Sequence, residues 1–330
     1  MVFFLSVLAA TLPIVVYILF LRWLDRYERE PITQILIVFG LGAVISTFFS
    51  YVANSIVSAV SYRILTYAGS EFFTAGIVAP FVEEINKGLI VVGFAWFSKE
   101  FDNLTDGLLY GAVVGLGFAF TENIMYFNRV YANYGQFAWL DNIYTRSFFS
   151  AGLHASATAI FGASIAIGKY MKTMEKVVIG FIGLVMAMCI HSFWNTILTV
   201  ADLSRDNILS LLPFFGLFFI YGFIFILFQA SLYREHQLLE TELTKEADLG
   251  TIDKAHVPFL KSYIERGKTG WLPAGVNKDE YIHLATDLAF RRWQVQEAQQ
   301  SKKAFYEKEL NDLRAKITKL LGNTGTPTTA

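Results

Sequence analysis

Four short stretches put chemically capable side chains where the sequence otherwise reads as hydrocarbon. The first, APFVEEINKG, spans residues 79–88 and carries Glu83, Glu84 and Lys87. The second, FAFTEN, carries Glu122, the third, HASATAIFGAS, opens on His154, and the fourth, HSFWN, carries His191 and Asn195. Residues four apart share a helix face, which pairs Glu83 with Lys87, Phe118 with Glu122, and His191 with Asn195. Three acids, a lysine, two histidines and an asparagine suit hydrolysis. A carboxylate can take a proton from water, and imidazoles and an amide can position substrate and stabilise an oxyanion. The same set could hold zinc through His154, His191 and Glu83. It could also relay protons or bind a cation in a transporter, or glue helices together in a non-catalytic scaffold.

The elements that must position these groups are membrane spans. The 330-residue chain is 54% hydrophobic and 17% charged, with net charge −1, too apolar for an ordinary soluble protein and without a basic surplus for nucleic acid. Its single cysteine, Cys189, can build neither a disulfide framework nor a thiolate zinc site. A spanning helix needs about 20 apolar residues. Stretches at 3–22, 33–58, 74–97, 105–127, 148–168, 177–199 and 208–230 qualify. The expected fold is therefore all-α, a polytopic bundle of about seven transmembrane helices over 1–231, followed by a soluble amphipathic helical tail over 232–330. The N-terminal apolar run lacks a basic leader and reads as a retained span. Arg22, Arg26, Arg29, Lys99, Lys169, Lys172 and Lys176 flank one side, and Arg63, Arg129, Arg146 and Arg205 the other. The positive-inside rule then puts the N-terminus outside and the tail in the cytoplasm.

Only the third to sixth spans contain ionisable groups well inside them. Each charge at a helix centre costs about 2.5–3.5 kcal/mol on insertion scales. The asymmetry predicts that these four spans surround a polar interior while the others face lipid. At about 1.5 Å per residue, Glu83 lies ~14 Å from the outer end of its span, Glu122 ~8 Å, His154 ~9 Å and His191 ~12 Å. The depths agree, so the groups can converge in the outer half of the membrane.

Other features read as structure. Gly107, Gly111 and Gly115 form a stripe for close helix packing. Pro80, three residues before Glu83, is placed to kink its helix. The stretch NRVYANYGQFAWLDNIYTRS reads as a long interfacial loop with an aromatic belt. In the tail, Asn277 and Glu280 resemble a capping box, and Leu284, Leu288, Leu310, Leu313, Ile317 and Leu320 fall at helical spacings. Such a module fits packing on its own membrane body or pairing with a cytoplasmic partner. His236, His256 and His283 sit there at irregular spacing and suggest no chemistry.

The four polar stretches, in order, resemble the PrsW-type intramembrane proteases, related to the CAAX protease and bacteriocin-processing group. EEINK matches the EExxK motif, GFAFTENIMYF is similar to the second motif, His154 in GLHASATAIFGASIAIG to the third, and HSFWN to the fourth. The likeness covers about residues 75–200. It implies a glutamic-type endopeptidase of the bacterial cytoplasmic membrane, in which Glu83 or Glu84 activates water and Glu122, His154 and His191 complete the site. It further implies a single-span membrane protein as substrate, such as an anti-sigma factor cut on the outer side. Lys87 would compensate one acid. No HExxH motif is present, so no cofactor is expected, with zinc on His154, His191 and Glu83 as the other possibility.

Overall fold

A computed structural model describes residues 1–297 and 300–322. Among the described residues there is no strand, and the protein is an all-α polytopic helical bundle. The first nine α-helices are α1 (Val2–Leu24), α2 (Ile32–Leu41), α3 (Thr47–Ile64), α4 (Tyr67–Glu71), α5 (Ala79–Phe97), α6 (Leu104–Thr145), α7 (Ala151–Gly168), α8 (Thr173–Ser204) and α9 (Leu212–Asp248). Short π-helical segments join α2 to α3, α4 to α5 and α6 to α7, so several of these form continuous rods. Among the described residues five runs are long and apolar enough to cross a membrane: Val2–Leu24, Ile32–Ile64, Leu104–Gly168, Thr173–Ser204 and Leu209–Asp248. The expected span at 74–97 is helical but fails on composition, because Glu83, Glu84 and Lys87 sit in it.

The chain divides into two compact units. The first comprises Met1–Leu24 and Glu30–Phe228. Its core lies where α6 meets α7, and nearly every residue of α7 is buried. The glycine stripe makes this approach possible. A Cβ at Gly107, Gly111 or Gly115 would collide with the carbonyl oxygen of Gly162, Thr158 or His154 respectively. Gly117, off that stripe, meets the backbone at Phe39 and Ala43 in the same way.

The expected aromatic loop after the fourth span is instead helical through Thr145. The chain reverses at Gly135, whose φ of 81° falls where a residue without Cβ is favoured. Trp139 is buried against Ala10 and Phe127 and donates from Nε1 to Ser6 Oγ at 3.1 Å. That anchor on α1 gives the segment a packed face, so only part of its aromatic set, including Tyr134, Phe137 and Tyr144, is exposed.

The second unit comprises Asp25–Arg29 and the described residues from Gln229 onward. It contains α10 (Val257–Leu260), α11 (Tyr263–Arg266), α12 (Lys278–Glu297) and α13 (Gln300–Gly322). Leu239, Leu243, Leu260, Tyr281, Leu288 and Ile317 are among its core residues, with Leu284 and Leu320 at its edge. Asn277 Oδ1 accepts from the Glu280 backbone N–H at 3.3 Å, which caps α12. Arg266 is buried and donates to the carbonyls of Leu260 and Tyr27 and to Thr286 Oγ1. The tail histidines serve this packing: His236 Nδ1 bonds the Lys261 carbonyl, and His256 Nδ1 the Tyr281 hydroxyl. His283 is exposed beside Asp287.

Candidate active site

The site begins with a backbone irregularity. Pro80 has no N–H to give to the carbonyl of Gly76 one turn earlier. The chain before it widens into the π-helix Phe72–Val78, and carbonyls there look outside the helix for donors. Residues of α8 supply them. Ser192 Oγ donates to Gly76 O at 2.5 Å, Thr196 Oγ1 to the same oxygen at 3.3 Å, and Asn195 Nδ2 to Ala75 O at 3.0 Å. This stitch lays the HSFWN face of α8 alongside the first turns of α5, where Glu83, Glu84 and Lys87 follow. All three are buried.

Lys87 and Glu84 form the centre. Lys87 Nζ lies 2.5 Å from Glu84 Oε1 and 3.0 Å from His154 Nδ1, and 4.5 Å above the Phe118 ring. Glu84 Oε1 also bonds His191 Nδ1 at 2.9 Å, while its Oε2 accepts from Thr158 Oγ1 at 3.2 Å. Both oxygens of Glu84 are therefore engaged. His154 reaches Glu122 Oε2 through Nε2 at 3.0 Å. A lysine ammonium only donates, so Nδ1 of His154 accepts and Nε2–H donates. The two imidazoles stand edge to face at 4.7 Å between centroids. Phe118, one turn before Glu122, packs on His154 at 5.2 Å.

Glu83 differs. Its Oε1 accepts from Asn54 Nδ2 at 3.1 Å, but its buried Oε2 accepts no hydrogen bond. That oxygen lies 3.8 Å from His191 Nε2. Asn195 Nδ2 is 3.4 Å from the same imidazole nitrogen.

All seven residues singled out by spacing thus meet in one cluster: Glu83, Glu84, Lys87, His154 and His191 are buried, and Glu122 and Asn195 are half-buried at its edge. Two further side chains join them. Asn54 stands on α3, within the second span, so the expectation that this span only faces lipid is corrected. Asn86 bonding Ser50 Oγ at 3.1 Å shows the same polar seam. Arg146, read from sequence as a flanking basic residue, lies 2.5 Å from Glu122 Oε2. The sequence held a faint signal for both: Asn54 and Ser50 are four apart, and Arg146 precedes His154 by about two helical turns.

Glu83, His154 and His191 also offer one ligand atom each within 4.8 Å of one another. Two histidines and a glutamate are a donor set of catalytic zinc sites, and the unpartnered Glu83 Oε2 points into the group. In type and spacing these residues fit a zinc ion. The Lys87 ammonium on His154 Nδ1 opposes it, because both nitrogens of that ring are already engaged.

Residues 30–228 match the family described as PrsW family intramembrane metalloprotease. Protease PrsW of Bacillus subtilis (strain 168) is 28% identical over 58% of this chain and 79% of its own length. Protease PrsW of Oceanobacillus iheyensis is 28% identical over 59% and 83%, and that of Clostridioides difficile (strain 630) is 30% identical over 36% and 49%. No solved structure matches. The matched region contains every residue of the polar cluster, and the chain belongs to the PrsW family of intramembrane proteases.

Proposed function

We propose that the protein hydrolyses peptide bonds of membrane-anchored substrates with Glu83 as general base. The contrast between the two adjacent acids carries this reading. Glu84 has partners on both oxygens, Lys87 and His191 on Oε1 and Thr158 on Oε2, whereas Glu83 keeps a buried oxygen that accepts no hydrogen bond. Glu84 Oε1 accepts from His191 Nδ1 and so fixes that imidazole. With Nδ1–H given to Glu84, the lone pair of Nε2 faces Glu83 Oε2 across 3.8 Å, and one water can reach both acceptors. Glu83 takes a proton from that water as its oxygen bonds to the scissile carbonyl carbon. The proton then passes to the departing amine nitrogen as the C–N bond breaks. Asn195 spends one N–H on Ala75 O and holds the other only loosely on His191 at 3.4 Å, which leaves it able to turn to the oxyanion.

A metal-dependent version has its own support in the Glu83, His154 and His191 grouping and in the family description. Zinc held by those three would supply a Lewis acid and a bound water of lowered pKa. The charge arrangement favours the metal-free version, since a cation at that position would meet the Lys87 ammonium.

The family resemblance and the common depth of the cluster support a single-span membrane protein, such as an anti-sigma factor, cut in the outer half of a bacterial cytoplasmic membrane. The excess of flanking arginine and lysine supports an outside N-terminus and a cytoplasmic tail. The test is cleavage of a single-span substrate by the purified protein in liposomes. Glu83→Gln should insert normally and not cleave, and retained cleavage would remove Glu83 from the mechanism.

A further inference from the structure

Arg146 begins the π-helical turn Arg146–Ser150 that leads into α7. Its surroundings hold it on three sides. Asn123 Oδ1 accepts from Nε at 2.9 Å, and Asn123 Nδ2 donates to the Arg146 carbonyl at 3.4 Å. The guanidinium carbon lies 3.8 Å over the Tyr126 ring. Nη2 then meets Glu122 Oε2 at 2.5 Å. Glu122, Asn123 and Tyr126 all belong to the stretch FAFTENIMYF, so one helical turn of α6 grips one arginine.

The same Glu122 oxygen accepts from His154 Nε2. A carboxylate shared in this way fixes the tautomer and orientation of the imidazole behind it. Arg146 Nη2 is bonded to that same Glu122 oxygen. We propose that Arg146 is a positioning residue for the hydrolysis, acting through Glu122 on His154 and from there on Lys87. The inference rests on the reading of the cluster as a hydrolytic site. It adds a member from outside the four polar motifs. The cation also answers an electrostatic need: three acids meet here, and Lys87 is bonded to Glu84 rather than to Glu122.

The test uses the full-length protein in liposomes with a single-span substrate. Arg146→Gln should lower kcat by about 10–100-fold, the scale seen when a carboxylate that orients a metal-site histidine is lost, with KM nearly unchanged. Arg146→Lys should recover most of that loss. The double variant Arg146→Gln with Glu122→Gln should be no slower than Glu122→Gln alone, because both act through one oxygen. A change confined to KM, multiplicative losses in the double variant, or unchanged kcat in Arg146→Gln would overturn the proposal. If Arg146→Gln does not fold, Asn123→Ala, which removes the acceptor at Arg146 Nε, should lower kcat with KM nearly unchanged, and an unchanged kcat there would overturn the proposal. Glu83→Gln, measured alongside, separates a failure of this inference from a failure of the general-base assignment.

Discussion

His191 touches both acids of the EEINK stretch, but on opposite terms. Its Nδ1 is bonded to Glu84 at 2.9 Å, and its Nε2 faces an unpartnered oxygen of Glu83 at 3.8 Å. One imidazole therefore lies between a carboxylate with partners on both oxygens and one with an oxygen that accepts no hydrogen bond, and the second is the base in the proposed hydrolysis. Glu83→Gln should lower turnover by about 10²–10⁴-fold, the usual contribution of a general base, with little change in thermal stability in detergent. Glu84→Gln should fail differently. Removing one partner of a buried ion pair costs about 3–5 kcal/mol, so the melting temperature should fall together with activity. Equal stability of the two variants would undo the distinction.

The sequence could not separate these two residues. Neighbouring positions on a helix diverge by about 100°, and what each meets depends on α3, α7 and α8, whose rotations are set by packing. The convergence of the four motifs was readable for a simpler reason: ionisable groups in apolar spans are costly and must find one another. Asn54 and Arg146 escaped because neither looks expensive alone. An asparagine in an apolar stretch is unremarkable, and an arginine near a span end reads as a flank. The helical return at 136–145 was hidden behind turn-forming residues around Gly135, while the burial of Trp139 that holds it depends on α1, far away in sequence.

Metal removal gives the second prediction. Activity should survive strong chelator, and the purified protein should carry no stoichiometric zinc, because Lys87 Nζ lies 3.0 Å from His154 Nδ1 and its charge opposes a nearby dication. Elemental analysis reads this directly. About one zinc per chain, lost along with activity in His154→Ala and His191→Ala, would establish the metal-dependent version instead.

Gly115 gives the third. A methyl group there would strike the carbonyl of His154, so Gly115→Ala must push α7 away from α6 at the level of the site. Overpacking of this kind costs about 1–3 kcal/mol, and displacing His154 should cost turnover as well. Gly93→Ala is the control. Nothing lies within 4 Å of a Cβ at Gly93, and alanine is the better helix former by about 1 kcal/mol. Thermal unfolding temperatures of the pair should move in opposite directions, and the cleavage rate should fall in Gly115→Ala and stay at the parent level in Gly93→Ala. A Gly115→Ala protein as active and stable as the parent would show that the α6–α7 approach has slack.

The tail gives the last. His256 is buried against Tyr281 and Trp271, and burial lowers its pKa below the ordinary value of 6.5. The folded unit therefore prefers the neutral ring, while the unfolded chain takes up a proton near pH 6.5. Stability from this group is fully present above that pH and is lost as pH falls toward the lower folded pKa. Glu246 adds a second, more acidic step. Burial raises its carboxyl, but hydrogen bonds from Arg314, Thr251 and Arg292 outweigh burial and hold it below the usual range. Its contribution is present above about pH 4.3, the unfolded value for a glutamate, and fades below it. In the full-length protein, protease resistance of the α12–α13 region should decline from pH 7 to pH 5 and again below pH 4. His256→Gln should flatten the first decline and leave the second. A stop after Tyr233, which removes these groups while keeping the polar cluster, should still cleave substrate in liposomes, with a changed rate. A pH-independent tail, or a first decline unchanged in His256→Gln, would show that His256 is not the group that titrates.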